Sequence, residues 1–226
     1  MSVGERLGAV RERIARTGRN PDEVTIVAVT KGFGPEVCAQ ALQAGLYYLG
    51  ENRVQEALAK MDAVEGAEWH LIGHLQTNKV KLAARRFALI QSVDSRHLAE
   101  ALGRADSEQP VLVQVNVARE PQKSGVEPAR ALELIDQVAK LLHLRGLMAM
   151  GPARGDPTPA FEALRNLRDE AEQRTGRALP ILSMGMSGDF EAAVVAGSTM
   201  LRLGQVLFGP RSSPFMGTRP DNGRRG

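Results

Sequence analysis

Val24-Thr-Ile-Val-Ala-Val-Thr30 is a short run of apolar and β-branched residues, and Lys31-Gly-Phe-Gly-Pro35 follows it directly. Val37, Ala41 and Leu42 then recur at helical spacing. A run that is apolar on both of its faces is typical of a strand in a parallel sheet that is covered on both sides. A turn and an amphipathic helix after such a strand predict one β-strand–α-helix unit.

The same unit recurs along the chain, and its repetition predicts the fold. Eight strand candidates alternate with segments of helical periodicity, and the candidates are Val24–Thr30, Leu46–Gly50, Glu68–Gly73, Phe87–Val93, Val111–Val117, Leu144–Met150, Leu179–Ser183 and Thr199–Leu203. Parallel strands joined by right-handed helical crossovers satisfy this order. Eight units close most simply into a (β/α)8 barrel, an α/β fold of the TIM type. A doubly wound open sheet is the competing arrangement.

Both ends of the chain lie outside the repeated units. Residues 2–18 carry four apolar residues at helical spacing, which predicts an extra amphipathic helix before the first strand. These residues are Val3, Leu7, Val10 and Ile14. After Gly209 the composition turns to Pro, Gly, Ser and Arg, which is typical of a loose tail. We therefore expect a single barrel domain over residues 1–209 and a flexible tail over residues 210–226.

The composition limits the class of protein. The chain has 226 residues, of which 43% are hydrophobic and 24% are charged, and its formal net charge is +3. The near balance of charge gives no indication of nucleic-acid binding. No apolar run approaches the roughly 18 residues of a membrane helix, and the charged N-terminus does not have the pattern of a signal peptide. Because Cys38 is the single cysteine, an internal disulfide is excluded, and we expect a cytoplasmic protein.

Polar residues at the carboxyl ends of the predicted strands are the candidates for function, because a barrel of this type places its site there. Lys31 directly follows the first strand, so its stem begins in the barrel wall. A lysine in such surroundings loses hydration, which makes a neutral amine available to attack a carbonyl group. The alternative is a lysine whose ammonium group extends to the rim as an ordinary solvated charge.

Two glycine turns follow the last two predicted strands and indicate an anion site. The first is Met184-Gly-Met-Ser-Gly-Asp189, whose two glycines let the backbone approach a ligand and whose Ser187 offers a hydroxyl. The second is Gly204-Gln205. The loops after strands seven and eight are the usual phosphate site of such barrels, and helix N-termini there offer N–H groups. The alternative is that Ser187 only caps the helix that follows it.

Arg202 lies on the last predicted strand, which becomes the neighbour of the first strand once the barrel closes. A buried arginine needs acceptors because its charge is not neutralised. A carboxylate such as that of Asp189, or the ring nitrogen of a bound cofactor, would serve. His70 and His74 have a spacing that suggests metal ligands, but they lie on a predicted strand without a cysteine or an acidic cluster nearby. We therefore expect no metal site.

Seven motifs of the chain resemble the pyridoxal phosphate homeostasis protein family, and the agreement extends from about residue 3 to Arg211. The motifs are Val27–Lys31, Gly50–Glu56, Trp69–Lys79, Asn116–Gly125, Gly146–Met150, Leu182–Ser187 and Gly197–Gly204. The resemblance implies a single-domain barrel similar to the N-terminal barrel of bacterial alanine racemase, with pyridoxal 5′-phosphate as its cofactor. One departure is the stretch after Lys31, where the family usually has a more polar loop.

The resemblance also implies a role for each candidate residue, and none of these roles is catalytic. Lys31 would form the internal aldimine, Ser187 and the backbone at Gly204 and Gln205 would hold the phosphate, Arg202 would face the pyridine nitrogen, and Asn52 would line the cofactor pocket.

The implied cofactor leaves a choice between a carrier and an enzyme. Pyridoxal phosphate does its chemistry by draining carbanion charge into a protonated pyridine ring, and an arginine beside the ring nitrogen disfavours that protonation. Racemases take their second acid–base group from a separate β-rich domain, which we do not expect here. We therefore expect a monomeric, non-catalytic carrier of pyridoxal phosphate, with apo-enzymes and free amino acids as its partners. The alternatives are an amino-acid racemase and a class I aldolase, whose lysine attacks its substrate directly.

Overall fold

Eight parallel strands form a closed barrel in which each strand pairs with the next and β8 returns to β1. The computed structural model describes residues 1–210. The strands are β1 (Thr25–Val29), β2 (Tyr48–Glu51), β3 (Glu68–Leu71), β4 (Leu89–Val93), β5 (Pro110–Gln114), β6 (His143–Met148), β7 (Ile181–Ser183) and β8 (Met200–Leu203). This closure excludes the open doubly wound sheet and confirms the predicted (β/α)8 barrel.

Helices cover the outside of the barrel. They are α1 (Val3–Arg16), α2 (Pro35–Gln43), α3 (Val54–Met61), α4 (Val80–Ala83), α5 (Arg96–Ala105), α6 (Pro128–Leu141), α7 (Thr158–Thr175), α8 (Phe190–Val195) and α9 (Gln205–Phe208). The extra helix α1 begins after Ser2, whose hydroxyl accepts a hydrogen bond from the Glu5 N–H while the Glu5 carboxylate accepts one from the Ser2 N–H. Helix α1 contacts α2, α8 and α9, so it covers the place where the first and last units meet.

The hydrophobic core has two parts because both faces of the barrel wall are covered. The larger part lies between the strands and the helices, and the smaller part fills the barrel interior. The interior residues are Val27, Leu89, Leu112, Met148 and Met200. Side chains alternate between the two faces along a strand. The strands are therefore near-continuous apolar runs, as the sequence shows.

All eight predicted strands are present, and the differences lie at their ends. Strand β2 begins two residues later than predicted, because the Leu46 N–H bonds to the Ala41 carbonyl at the end of α2. Strand β5 ends three residues earlier than predicted, because the Asn116 N–H bonds to the Val126 carbonyl in the loop that follows. The predicted helix over residues 2–18 is confirmed as α1.

The domain boundary stays a prediction. Residues 1–209 form the barrel and its helices, and of the predicted tail over residues 210–226 only Pro210 lies within the described residues. Among residues 1–210, no helix has the length and apolar character needed to cross a membrane.

Candidate functional site

One cavity of about 500 Å³ lies at the carboxyl ends of β1, β2, β7 and β8. All of the residues proposed from the sequence line it together, and they are Lys31, Asn52, Ser187, Arg202, Gly204 and Gln205. Apolar side chains complete the wall, among them Phe33, Ile72, Met148, Met150 and Met186. Parallel strands place their carboxyl ends at the same edge, so residues from both ends of the chain meet in one site.

Lys31 follows β1 and is partly buried, and a cluster outside the barrel wall holds the peptide unit before it. The Thr30 carbonyl accepts a hydrogen bond from Lys60 Nζ at 2.9 Å, and the Thr30 hydroxyl donates to Glu51 Oε1 at 2.6 Å. Lys60 Nζ also pairs with Glu51 Oε1 at 2.6 Å, and all three residues of the cluster are buried. The cluster therefore fixes the point at which the Lys31 side chain leaves the barrel wall.

Arg202 lies on β8 and is only 4% exposed. Its Nη1 donates to the Ser183 carbonyl at 2.8 Å and to Ser183 Oγ at 2.7 Å, and its Nη2 donates to the Ala149 carbonyl at 2.8 Å. Burial lowers the pKa of Arg202 to about 10, against the opposing effect of the Asp189 charge, so the guanidinium stays cationic near neutral pH. Within residues 1–210 no ion pair joins Arg202 to Asp189, so the carboxylate pair considered from the sequence does not form.

A chain of buried polar groups continues from Arg202 across the barrel interior. Ser183 Oγ donates to Gln91 Oε1 at 2.6 Å, and Gln91 Nε2 lies 3.0 Å from His70 Nδ1. The amide nitrogen only donates, so His70 Nδ1 is the acceptor. Burial lowers the pKa of His70 to about 4, so its ring is neutral near pH 7. These hydrogen bonds could not be predicted from the sequence, because their members lie on strands that are distant along it.

Ser187 joins the turn after β7 to the start of α9, the helix after β8. Its Oγ accepts a hydrogen bond from the Val206 N–H at 3.2 Å. The alternative role as a helix cap does not apply, because α8 begins after Asp189 and shows no side-chain cap. Of the two glycines of this turn, Gly185 differs from the expectation that it approaches a ligand. A Cβ on Gly185 would lie 2.6 Å from the Ala193 Cβ, so Gly185 serves packing, whereas Gly188 lines the cavity and has open space around it.

The two histidines considered as metal ligands lie in different environments. His70 is buried in the barrel interior, whereas His74 is exposed and lies 3.3 Å from the Asp94 carboxylate. Within the described part of the chain, no group of three or more His, Cys, Asp or Glu side chains has the arrangement of a metal site.

The residues of the motif Asn116–Gly125, in the loop after β5, hold that loop in place. Asn116 Nδ2 donates to the Glu120 and Lys123 carbonyls, and Lys123 Nζ pairs with the Glu120 carboxylate at 3.0 Å. These residues do not line the cavity described above. Their contacts therefore assign them a structural role within the loop.

Comparison with known proteins places the chain among related sequences. The family described as "Alanine racemase, N-terminal domain" matches residues 6–212. The pyridoxal phosphate homeostasis protein of Aquifex aeolicus (strain VF5) is 42% identical, over 93% of this chain and 99% of that protein. The pyridoxal phosphate homeostasis protein of Escherichia coli (strain K12) is 38% identical, over 92% of this chain and 97% of that protein.

Solved structures show the same architecture. PipY of Synechococcus elongatus PCC7942, in a structure with PLP bound, superposes with a TM-score of 0.81 at 34% identity, covering 92% of this chain and 100% of that chain. The alanine racemase of Corynebacterium glutamicum superposes with a TM-score of 0.75 at 16% identity, covering 92% of this chain and 60% of that one. The second similarity concerns the fold alone.

Proposed function

The chain belongs to the pyridoxal phosphate homeostasis protein family, and from this premise we propose that it binds pyridoxal 5′-phosphate in the cavity at the β1–β8 edge. We further propose that it stores the cofactor and delivers it, in the cytoplasm, to apo-enzymes and free amino acids without catalysing a reaction of its own. The observation that carries the proposal is that a lysine, a buried arginine with neutral partners and a serine hydroxyl line one cavity.

The lysine fits the aldehyde of the cofactor. Lys31 would supply the amine that condenses with the aldehyde carbon, so that a C=N bond forms to Nζ and the carbonyl oxygen leaves as water. The buried cluster around Thr30 supports this role, because it holds the backbone from which the Lys31 side chain departs.

The turns after β7 and β8 fit the phosphate. Because the Ser187 hydroxyl accepts from the Val206 N–H, its own O–H group remains a donor for a phosphate oxygen. Gly204 and Gln205 bring backbone to the cavity, and Asn52, directly after β2, also lines it. Among the described residues of the lining, the ionisable side chains are two cations and no acid, which favours a ligand with a phosphate group.

Arg202 supports binding without catalysis. When bound, pyridoxal phosphate supplies an electron sink that is strongest with a protonated ring nitrogen. A cationic Arg202 beside that nitrogen would disfavour its protonation. Racemisation also needs an acid–base group on the face opposite the lysine. Apart from Lys31 itself, Arg202 is the ionisable side chain among the described residues that line the cavity, so that lining supports binding rather than racemisation.

The test is an absorbance spectrum of the purified protein with pyridoxal 5′-phosphate, before and after borohydride reduction, with the modified peptide identified by mass. We expect the pyridoxyl group on Lys31 of the wild-type protein. The variant Lys31→Ala should give no covalent product but keep residual affinity through the phosphate contacts. The control Lys81→Ala, which changes an exposed lysine, should behave like the wild-type protein. A pyridoxyl group on another side chain, or on none, would overturn the assignment.

A second assay separates storage from catalysis. The holoprotein is incubated with single amino-acid enantiomers, and the enantiomeric ratio is followed over time. We expect no sustained racemisation. Sustained racemisation that Lys31→Ala abolishes would identify the protein as a racemase, and a colourless protein that forms a reducible adduct only with a carbonyl substrate would identify it as a class I aldolase.

A further inference from the structure

A series of hydrogen bonds crosses the barrel interior from Arg202 on β8 to His70 on β3. Of its four residues, only Arg202 lines the cavity. It passes from Arg202 Nη1 to Ser183 Oγ at 2.7 Å, from Ser183 Oγ to Gln91 Oε1 at 2.6 Å, and from Gln91 Nε2 to His70 Nδ1 at 3.0 Å. The four residues are between 0% and 4% exposed. Their bonds are therefore made away from competing water.

Every member of the chain has a determined donor or acceptor role. The guanidinium only donates, so Ser183 Oγ accepts from it and gives its own proton to Gln91. The Gln91 carbonyl oxygen is thereby fixed toward Ser183, and its amide nitrogen is fixed toward His70. A neutral His70 with its acceptor at Nδ1 completes this order. A protonated ring would place a donor against the amide nitrogen and break the chain.

The apolar residues around these polar groups show that the barrel interior can be filled without hydrogen-bonding side chains. Neighbouring positions in the barrel interior are filled by apolar side chains such as Val27, Leu112 and Met148. Buried polar groups stabilise a core no better than apolar ones unless all of their bonds are made, but a satisfied network fixes one arrangement. The arrangement fixed here is that of the Arg202 guanidinium, whose remaining N–H donors are the ones a ligand in the cavity would use.

We propose that Ser183, Gln91 and His70 are positioning residues that aim the Arg202 guanidinium at the ring nitrogen of the bound cofactor. Their effect is selectivity for a pyridine ring over a ring of the same shape without the nitrogen. This inference rests on the proposed function, since it assumes that the cavity takes pyridoxal 5′-phosphate.

The test compares two probes, pyridoxal 5′-phosphate and its 1-deaza analogue, in which a C–H group replaces the ring nitrogen. A hydrogen bond from a charged donor predicts that the wild-type protein prefers the natural cofactor by about tenfold in dissociation constant. We expect Ser183→Ala and Gln91→Met to lower this preference to about twofold or less. In these variants the two backbone carbonyls still accept from the guanidinium, but the side-chain contact that completes its orientation is lost or no longer held in place by Gln91. A loss of packing alone would weaken both probes by the same factor and leave the ratio unchanged.

Ser92→Ala is the matched control. Ser92 follows Gln91 on β4 and is equally buried, but its hydroxyl has no hydrogen-bond partner within residues 1–210. We expect this variant to keep the wild-type ratio of the two dissociation constants. Circular dichroism and thermal unfolding of each apo-protein establish that the variants compared are folded.

His70 provides a conservative rescue that does not depend on the Gln91 variant. The Asn side-chain oxygen takes the place of His Nδ1 as acceptor, so we expect His70→Asn to keep the preference and His70→Leu to lose it. A preference that is absent in the wild-type protein, or retained in Ser183→Ala and His70→Leu, would overturn the inference. Failure of the wild-type protein to bind either probe at Lys31 would instead overturn the proposed function.

Discussion

Two buried cations contact the barrel, Lys60 from helix α3 and Arg202 from strand β8, and the charges of their partners differ. Lys60 pairs with Glu51 at 2.6 Å, so the two charges offset each other between α3 and the barrel. Arg202 is held by the carbonyl oxygens of Ser183 and Ala149, which carry no net charge. Because charges interact more strongly in a low-dielectric interior than in water, the Arg202 charge acts on a ligand in the cavity. We therefore expect the neutral partners of Arg202 to leave its charge available to a ligand in the cavity.

At the residue scale, we predict that His70 makes the folded protein less stable in acid. Burial lowers the pKa of His70 to about 4, from 6.5 in the unfolded chain. As the pH falls below 6.5 the unfolded chain binds a proton, while the folded protein binds it only near pH 4. Stability contributed by the neutral ring is therefore present above the unfolded pKa and is lost as the pH falls through this window, by about 3 kcal/mol in total.

Urea unfolding of the wild-type protein and of His70→Asn at several pH values measures this loss. We expect the difference in the free energy of unfolding between the two proteins to change with pH between the two pKa values and to be constant above them. His97→Asn changes an exposed histidine and should show no such change. A pH-independent difference for His70→Asn would contradict a neutral, buried ring.

Some residues in and around the cavity could be predicted from the sequence, and others are brought together only when the barrel closes. The sequence predicts Lys31 because it follows an apolar run at a strand end, and Ser187 because it lies in a glycine turn after the seventh strand, where a barrel places its site. Gln91 and Lys60 could not be predicted, because a polar residue on a strand or helix surface is usually solvated. Their partners lie on other elements, and closure of the barrel brings them together.

At the element scale, we predict that Gly146→Ala disrupts the pairing of β6 with β7. The pairing of β5 with β6 shifts in register just before Gly146, and Gly146 has a φ of 153°. A Cβ there would overlap the Ile181 carbonyl oxygen, which belongs to the neighbouring strand. Both the backbone conformation and the lack of space oppose a side chain, so we expect a loss of more than about 1 kcal/mol in the free energy of unfolding.

Gly8→Ala is the matched control for this substitution. Gly8 lies in α1, and a Cβ at this position would meet nothing within 4 Å. Alanine favours a helix over glycine, so we expect a gain of about 0.5–1 kcal/mol in the free energy of unfolding. Chemical denaturation of both variants measures the two values. Equal effects of the two substitutions would show that glycine is dispensable at the β6–β7 contact.

Element types followed from the sequence more directly than element ends. A strand covered on both faces is a continuous apolar run, so the eight strands could be identified from their composition. The end of β5 could not, because it depends on the hydrogen bond from the Asn116 N–H to the Val126 carbonyl across a loop. The role of Gly185 was hidden in the same way, since its close neighbour Ala193 lies on the following helix.

At the scale of the whole molecule, the cavity lies where the two ends of the described chain meet. Strands β1 and β8 pair in register through Thr25 with Met200 and Ala28 with Leu203, and this pairing closes the barrel. Helix α1 covers the same region through its contacts with α8 and α9. A ligand held by Lys31 after β1 and by residues after β7 and β8 would therefore connect the first and last parts of the barrel.

We predict that pyridoxal 5′-phosphate protects this junction more than the rest of the barrel. Local openings that separate β1 from β8 break the ligand contacts, so a ligand at about 100 times its dissociation constant raises their free energy by up to about 2.7 kcal/mol. Hydrogen exchange followed by mass spectrometry should show slower exchange in peptides from β1 and β8, with β4 and β5 as the internal reference. Inorganic phosphate, and Lys31→Ala with the cofactor, should each give a smaller effect. Equal protection of all eight strands would show instead that the barrel opens only as one cooperative unit.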